Sequence, residues 1–288
     1  MLLLLFTLQG IPSVALTATF HSPRVRESSG IAVSRAHRGV LWTHNDSGDD
    51  AYVYATDLAG TDRGVVRIRG TRAVDWEDIA LGSCPTQEGA CLYIADTGDN
   101  DRTRKSVVIY AVPEPDPPAR GGGPGRSAAA ATLRLRYPGG PDDVEAIYVS
   151  PRDSALYLVT KGRSGVIRLY RVSRQAWGGD TVVTATPLQQ LPVAPFAPVG
   201  RLVTGAAIRP DGRLVAIRTY TEIYTFVPGA GGLLTPSGWP VCNVSGLEPQ
   251  GEAIAFLDDS TFVLTSEAAP TRRGLIHAVR CPSRLRKE

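Results

Sequence analysis

Asp75-Trp76-Glu77-Asp78-Ile79-Ala80-Leu81 is a polar residue, a spacer, a glutamate, an acidic residue and then an apolar run. Close relatives of it return twice, as Asp143-Val144-Glu145-Ala146-Ile147-Tyr148-Val149 and Gln250-Gly251-Glu252-Ala253-Ile254-Ala255-Phe256. Two weaker copies, Glu27-Ser28-Ser29-Gly30-Ile31-Ala32-Val33 and Leu202-Val203-Thr204-Gly205-Ala206-Ala207-Ile208, complete a set of five. The third position reads Ser29, Glu77, Glu145, Thr204 and Glu252, at separations of 48, 68, 59 and 48 residues. That is the period range of a four-stranded propeller blade rather than of a helical solenoid.

Outward from each copy, short apolar runs with strand-like alternation are separated by turn residues. The first unit predicts strands over 30–34, 40–44, 51–56 and 63–68, four strands in the 48 residues before the next copy. The second predicts 76–81, 91–95 and 106–112, with its fourth strand delayed to 132–137. The cause of the delay is residues 113–131, a Pro-, Gly- and Ala-rich insert too poor in apolar side chains to order itself, and so expected to be a surface excursion. The third unit predicts 146–149, 155–160, 166–172 and an outer strand near 181–186; the fourth, 205–208, 213–219 and 222–227; the fifth, 253–256, 261–265 and 274–280. Residues 16–26 belong to no complete repeat and are assigned to closing the last blade, which removes the exposed sheet edges of an open ring. The expectation is an all-β, five-bladed β-propeller occupying 16–282 as one domain, with residues 283–288 a basic tail. A six-bladed ring, with an extra blade hidden in 189–202, is the alternative.

The near-balanced net charge of +3 gives no basic surface for nucleic acid. Residues 1–15 read as a leader, apolar at first and ending in Ser13-Val14-Ala15, whose small residues suit cleavage after Ala15, with cleavage after Ala18 the alternative. The lack of a positively charged start leaves a truncated leader or a buried N-terminal strand as competing readings. The segment is too short for a stable membrane span. Of the four cysteines, Cys84 and Cys91 bracket a six-residue loop and Cys242 and Cys281 lie far apart. An even number without CxxC spacing reads as two disulfides formed in an oxidising compartment, which together with the leader predicts a secreted or extracytoplasmic protein, expected to be a monomer.

The phrases LWTHNDSGD, DWEDIAL, LYIADTGDN, VTGAAIRPDGRLVAIRTY and GEAIAF resemble those of secreted bacterial β-propeller proteins, the TolB/NHL/YVTN-like group, and most of all an actinobacterial-type extracytoplasmic set. The resemblance spans nearly all of Glu27 to Cys281. It implies the architecture and leaves activity open, because related propellers include lactonases, phytase-like phosphatases and pure binding modules.

Inner strands of a propeller line its central channel, so Glu77, Glu145 and Glu252 are expected to face one another with Ser29 and Thr204, backed by Glu27, Asp75, Asp143 and Gln250 two residues earlier. Carboxylates so placed raise one another's pKa, and a hard cation relieves them. Calcium, with its six to eight oxygen ligands, suits Glu77, Glu145, Glu252, Asp75 and Asp143 best. The competing reading is that these glutamates cap strand ends by accepting backbone N–H bonds. The loops His44 to Asp50 and Asp96 to Asp101 are dense in oxygen ligands without matching an EF-hand, and their Asp, Asn and Gly content also suits simple turns. With their counterparts they place Asp46, Asp96, Lys161, Arg218 and Glu267 at one mouth, as the contact set for a small-molecule or protein ligand. The principal functional expectation is a binding propeller with a calcium site in the channel. The alternative is a metal-dependent phosphoester or lactone hydrolase at the same mouth, with His44, Lys161 and Arg218 as candidate catalytic groups.

Overall fold

The computed structural model describes residues 9–119 and 123–283. The beginning of the expected leader and residues 284–288 of the tail lie outside the described residues. The chain is an all-β, five-bladed propeller, with no α-helix among the described residues. Its inner strands are Ser28–Val33, Trp76–Ser83, Val144–Val149, Val203–Ile208 and Gly251–Phe256, the five copies of the repeated phrase. Each pairs antiparallel with the next strand outward, and the ladder stays antiparallel except for short parallel strands added at the rims of the first, second and fourth blades.

The apolar alternation along each strand is spent between blades rather than within one. Ile79 packs with Trp42 and Leu92 of the first and second blades, Ile147 with Tyr93 and Leu158 of the second and third, and Ala206 with Tyr148 of the third. Ile31 of the first blade meets Ala253 and Val263 of the fifth, so the ring of interblade cores is continuous.

Closure uses both ends of the chain. Ser13–Thr19 pairs antiparallel with Leu275–Arg280 as the outer strand of the fifth blade, and Gln9–Gly10 runs parallel to Val241–Asn243 of the fourth. The closing strand therefore begins three residues before the expected 16–26 and includes the small residues read as a cleavage site. Cys242 and Cys281 form a disulfide between these same two blades, and Cys84 and Cys91 close a hairpin in the second. No helix among the described residues is long and apolar enough to cross a membrane.

Two outer segments differ from expectation. Gly125–Ala129, within the 113–131 insert, runs parallel to Val65–Arg69 as a fifth strand of the first blade. Backbone pairing with an open sheet edge needs no apolar side chains, which is why composition did not disclose it. The insert is also pinned where the Trp42 indole donates to Glu114 at 3.0 Å. In the third blade the outer strand is Thr186–Gln190, while Val183–Thr184 crosses to the edge of the second. Residues 189–202 hold the end of that strand and a single 3-10 turn, Ala197–Val199, and among the described residues there is no sixth sheet.

Candidate functional site at the channel mouth

All five inner strands carry a β-bulge at the same place. Pairing skips Ser29 in the first blade, Glu77 in the second, Glu145 in the third, Thr204 in the fourth and Glu252 in the fifth. A bulge adds one residue to a strand and re-aims its side chain. The third position of the phrase is thus set apart by backbone geometry as well as by composition. The hydroxyls there bind the next blade: Ser29 donates to the Glu77 carbonyl at 2.6 Å and Thr204 to the Gly251 carbonyl at 3.3 Å.

The glutamates are buried together. The Lys161 ammonium lies 2.7 Å from Glu145 Oε1, and Glu77 in turn meets the Glu145 carboxyl. Oxygens of Asp46, Asp75 and Glu77 all lie within 4.8 Å of one another, and so do those of Glu77, Asp143 and Glu145. Glu252 is in neither trio; Gln250 Nε2 donates to it at 2.9 Å and to Glu267 at 2.7 Å.

Burial without enough donors pushes these acids up. Glu77 is raised well above the usual carboxyl range by burial and then by Glu145. Burial raises Glu145 to about 7 against the opposing pull of Lys161, and burial and Glu145 raise Glu252 to about 8. Glu267 is raised to about 7 and Asp75 to about 6, each by burial first and then by Asp46. Near neutral pH the mouth must take up protons or a cation. Gly98 makes room for the crowding: a Cβ there would stand 2.0 Å from Glu77 Oε1 and 2.4 Å from Asp75 Oδ2.

Register decides which residues past the second strands face the mouth. The ladders pair Ser28 with Asn45, Trp76 with Asp96, Val144 with Thr160, Val203 with Thr219 and Gly251 with Ser266. The next residue in each blade is Asp46, Thr97, Lys161, Tyr220 or Glu267. Asp46, Lys161 and Glu267 are held there by their own amides, which donate to the Glu27, Asp143 and Gln250 carbonyls at 2.9, 2.9 and 3.0 Å. Three members of the expected contact set therefore share the position, while Thr97 and Tyr220 stand where Asp96 and Arg218 were expected. Asp96 is buried and accepts from Arg104 Nη2 at 2.7 Å and the Val74 amide at 3.2 Å. Arg218 is 0% exposed and is a strut between the fourth and fifth blades, donating to the Ala253 carbonyl at 2.6 Å and pairing with Glu248.

His44, expected at the mouth as a candidate catalytic group, is also fully buried and not available to a substrate there. It lies opposite Gly30 on the adjacent strand, edge-on to Trp76 at 5.7 Å, and burial lowers its pKa to about 4. The two oxygen-rich loops mostly satisfy themselves. Asp49 accepts from Asn45 and Tyr54, and Asp99 from the Thr103 and Arg104 amides, leaving Asp46 to join the carboxylate cluster.

Asp78, absent from the expected site, lies on the inner side of the second blade, directly after Glu77. It accepts from the Ile79 and Ile147 amides at 2.8 Å each, joining the second and third blades. Its position in the phrase is otherwise filled by Gly30, Ala146, Gly205 and Ala253, so an acid among small residues was the available signal.

No protein-family profile and no curated protein matches the chain. Among solved structures, it is similar to the Cps50 (Swd1) β-propeller domain of Myceliophteria thermophila, at 14% identity and a TM-score of 0.41 over 91% of this chain and 99% of that one. It is also similar to a chain of the nidogen/laminin complex, at 12% identity and a TM-score of 0.43 over 84% of this chain and 73% of that one. The five sheets of the chain itself define its fold.

Proposed function

We propose that this chain is an extracytoplasmic ligand-binding propeller whose channel mouth takes a hard divalent cation, calcium before the others. The observation that carries the reading is the pair of carboxylate trios sharing Glu77. Carboxylate oxygens alone suit calcium or magnesium, and a set assembled from loops and bulges, with Gln250 and Tyr220 nearby, suits the larger, less exacting ion. The two disulfides agree with an oxidising compartment. A metal-dependent phosphoester or lactone hydrolase would also need catalytic side chains within reach of the substrate beside the ion, and the candidates for that role are not free. Lys161 is paired with Glu145 and Arg218 is enclosed between blades, which favours binding over hydrolysis.

The test is thermal unfolding in EDTA and with added calcium. Calcium at about a hundredfold its Kd adds about 2.7 kcal/mol to the folded state, a rise of roughly 5 °C in a chain of this size. An unchanged midpoint at millimolar calcium would overturn the proposal.

A further inference from the structure

We infer that Lys161 is a built-in cation that occupies the Glu77, Asp143 and Glu145 half of the acidic cluster, so that the chain takes one free cation and takes it at Asp46, Asp75 and Glu77. The inference rests on the cation-binding reading above and says which half of the mouth is open.

The two trios differ in what the chain already provides. In one, the Lys161 ammonium sits 2.7 Å from Glu145, with the lysine 6% and the glutamate 2% exposed. Asp143 in the same trio accepts the Asp99 amide at 3.0 Å and Arg163 Nε at 3.2 Å. In the other, among the described residues, no Lys or Arg forms an ion pair with Asp46, Asp75 or Glu77. Glu77 is 4% exposed and belongs to both trios. Lys161 acts on it, but among the described residues that ammonium is paired with Glu145, and no cation is paired with Glu77 itself. A buried carboxyl crowded by four others and paired with no cation is short of positive charge on its Asp46 and Asp75 side.

Position in the ring supports the same division. Of the five equivalent residues past the second strands, Asp46, Thr97, Lys161, Tyr220 and Glu267, Lys161 is the one cation, and its tether ends inside the cluster. A tethered ammonium has a high effective concentration at its site and excludes a free ion from it.

The experiment is calcium titration by calorimetry on the wild type, K161M and K161R. The wild type and K161R are expected to bind one ion, and K161M to bind a second or to hold its one ion at least about tenfold more tightly. A folded K161M with the stoichiometry and affinity of the wild type, or with weaker binding, overturns the inference. If the wild type binds none and K161M binds one, Lys161 is shown to occupy its half, while the free ion at Asp46, Asp75 and Glu77 is overturned together with the calcium reading of the native protein; if neither binds, both halves of the inference fail. Should K161M not fold, side-chain NMR of Lys161 in the wild type decides. An ammonium that keeps its Glu145 pairing at saturating calcium supports the inference, and one released to solvent overturns it.

Discussion

The two ends of the central channel are built from the same five strands and have opposite chemistry. At the mouth, the bulged positions gather Glu77, Glu145 and Glu252, held away from their ordinary ionisation. Two residues on, the same strands present Ile31, Ile79, Ile147, Ala206 and Ile254, which line an apolar cavity of about 130 Å³ at the far end. Asp78 lies between the two, its carboxyl spent on the amide of Ile79 beside it and that of Ile147 in the third blade. The far end is arranged for packing; the mouth keeps unfavourable charge that packing alone would have discarded. Such local conflict is expected where a protein binds something.

The contrast can be attacked from either end. Ile147→Asp would place an unpaired charge in the apolar half, where Ile147 is 0% exposed, and should cost at least about 4 kcal/mol, read as loss of cooperative urea unfolding. Asp78→Ala would strand two buried amides and should cost about 2 to 5 kcal/mol, again by urea. Both changes should be more damaging than changes at the mouth.

The mouth should reveal itself through pH. Glu145 and Glu252 titrate near 7 and 8 in the folded chain, above their unfolded values near 4.5. The folded state therefore holds more protons between those limits, and its stability is greatest below about pH 4.5 with respect to these groups and falls as pH rises to about 8. In EDTA the melting temperature should drop across that window by the equivalent of at least about 1 kcal/mol. Saturating calcium should flatten the slope, and E252Q should reduce it; a flat profile in EDTA would remove the distinction between the two ends. Sharpest for function are Gly98→Ala and E77Q, and E77Q is the smallest in stability. The alanine Cβ must push aside the Glu77 and Asp75 carboxyls, at about 1 to 3 kcal/mol. Gln mimics the protonated carboxyl, so E77Q should lie within about 1 kcal/mol of wild type in EDTA. Both variants should lose the calcium shift.

The five-fold repeat was legible because every blade repeats a backbone event, the bulge, and marks it with a polar residue before an apolar run. Blade number, strand order and the disulfides followed from that spacing and from four cysteines. The second-strand ends were harder to read. Asp96 and Arg218 look like counterparts of Asp46 and Lys161 by charge, but equivalence is fixed by counting from the ladder, which puts Thr97 and Tyr220 in those places. His44 reads as a polar loop residue, and its burial comes from facing Gly30, whose missing Cβ admits the ring. The parallel strand at Gly125–Ala129 has no sequence periodicity to announce it, being selected by an open edge far away in the chain.

The pairing of Ser13–Thr19 with Leu275–Arg280 also sets an order of events in time. Contacts between neighbouring strands of one blade close short loops and form early, whereas this one joins segments separated by nearly the whole chain and must bear the greatest entropy of closure. During synthesis the early strand waits, its edge unpaired, until the fifth blade has emerged. Cys242 cannot meet Cys281 before the same moment. The ring is thus completed last in the fifth blade, where the early strand joins it and the first blade meets it. Oxidation of Cys242 and Cys281, by tying that blade to the fourth, would turn a slow, reversible closure into a locked one.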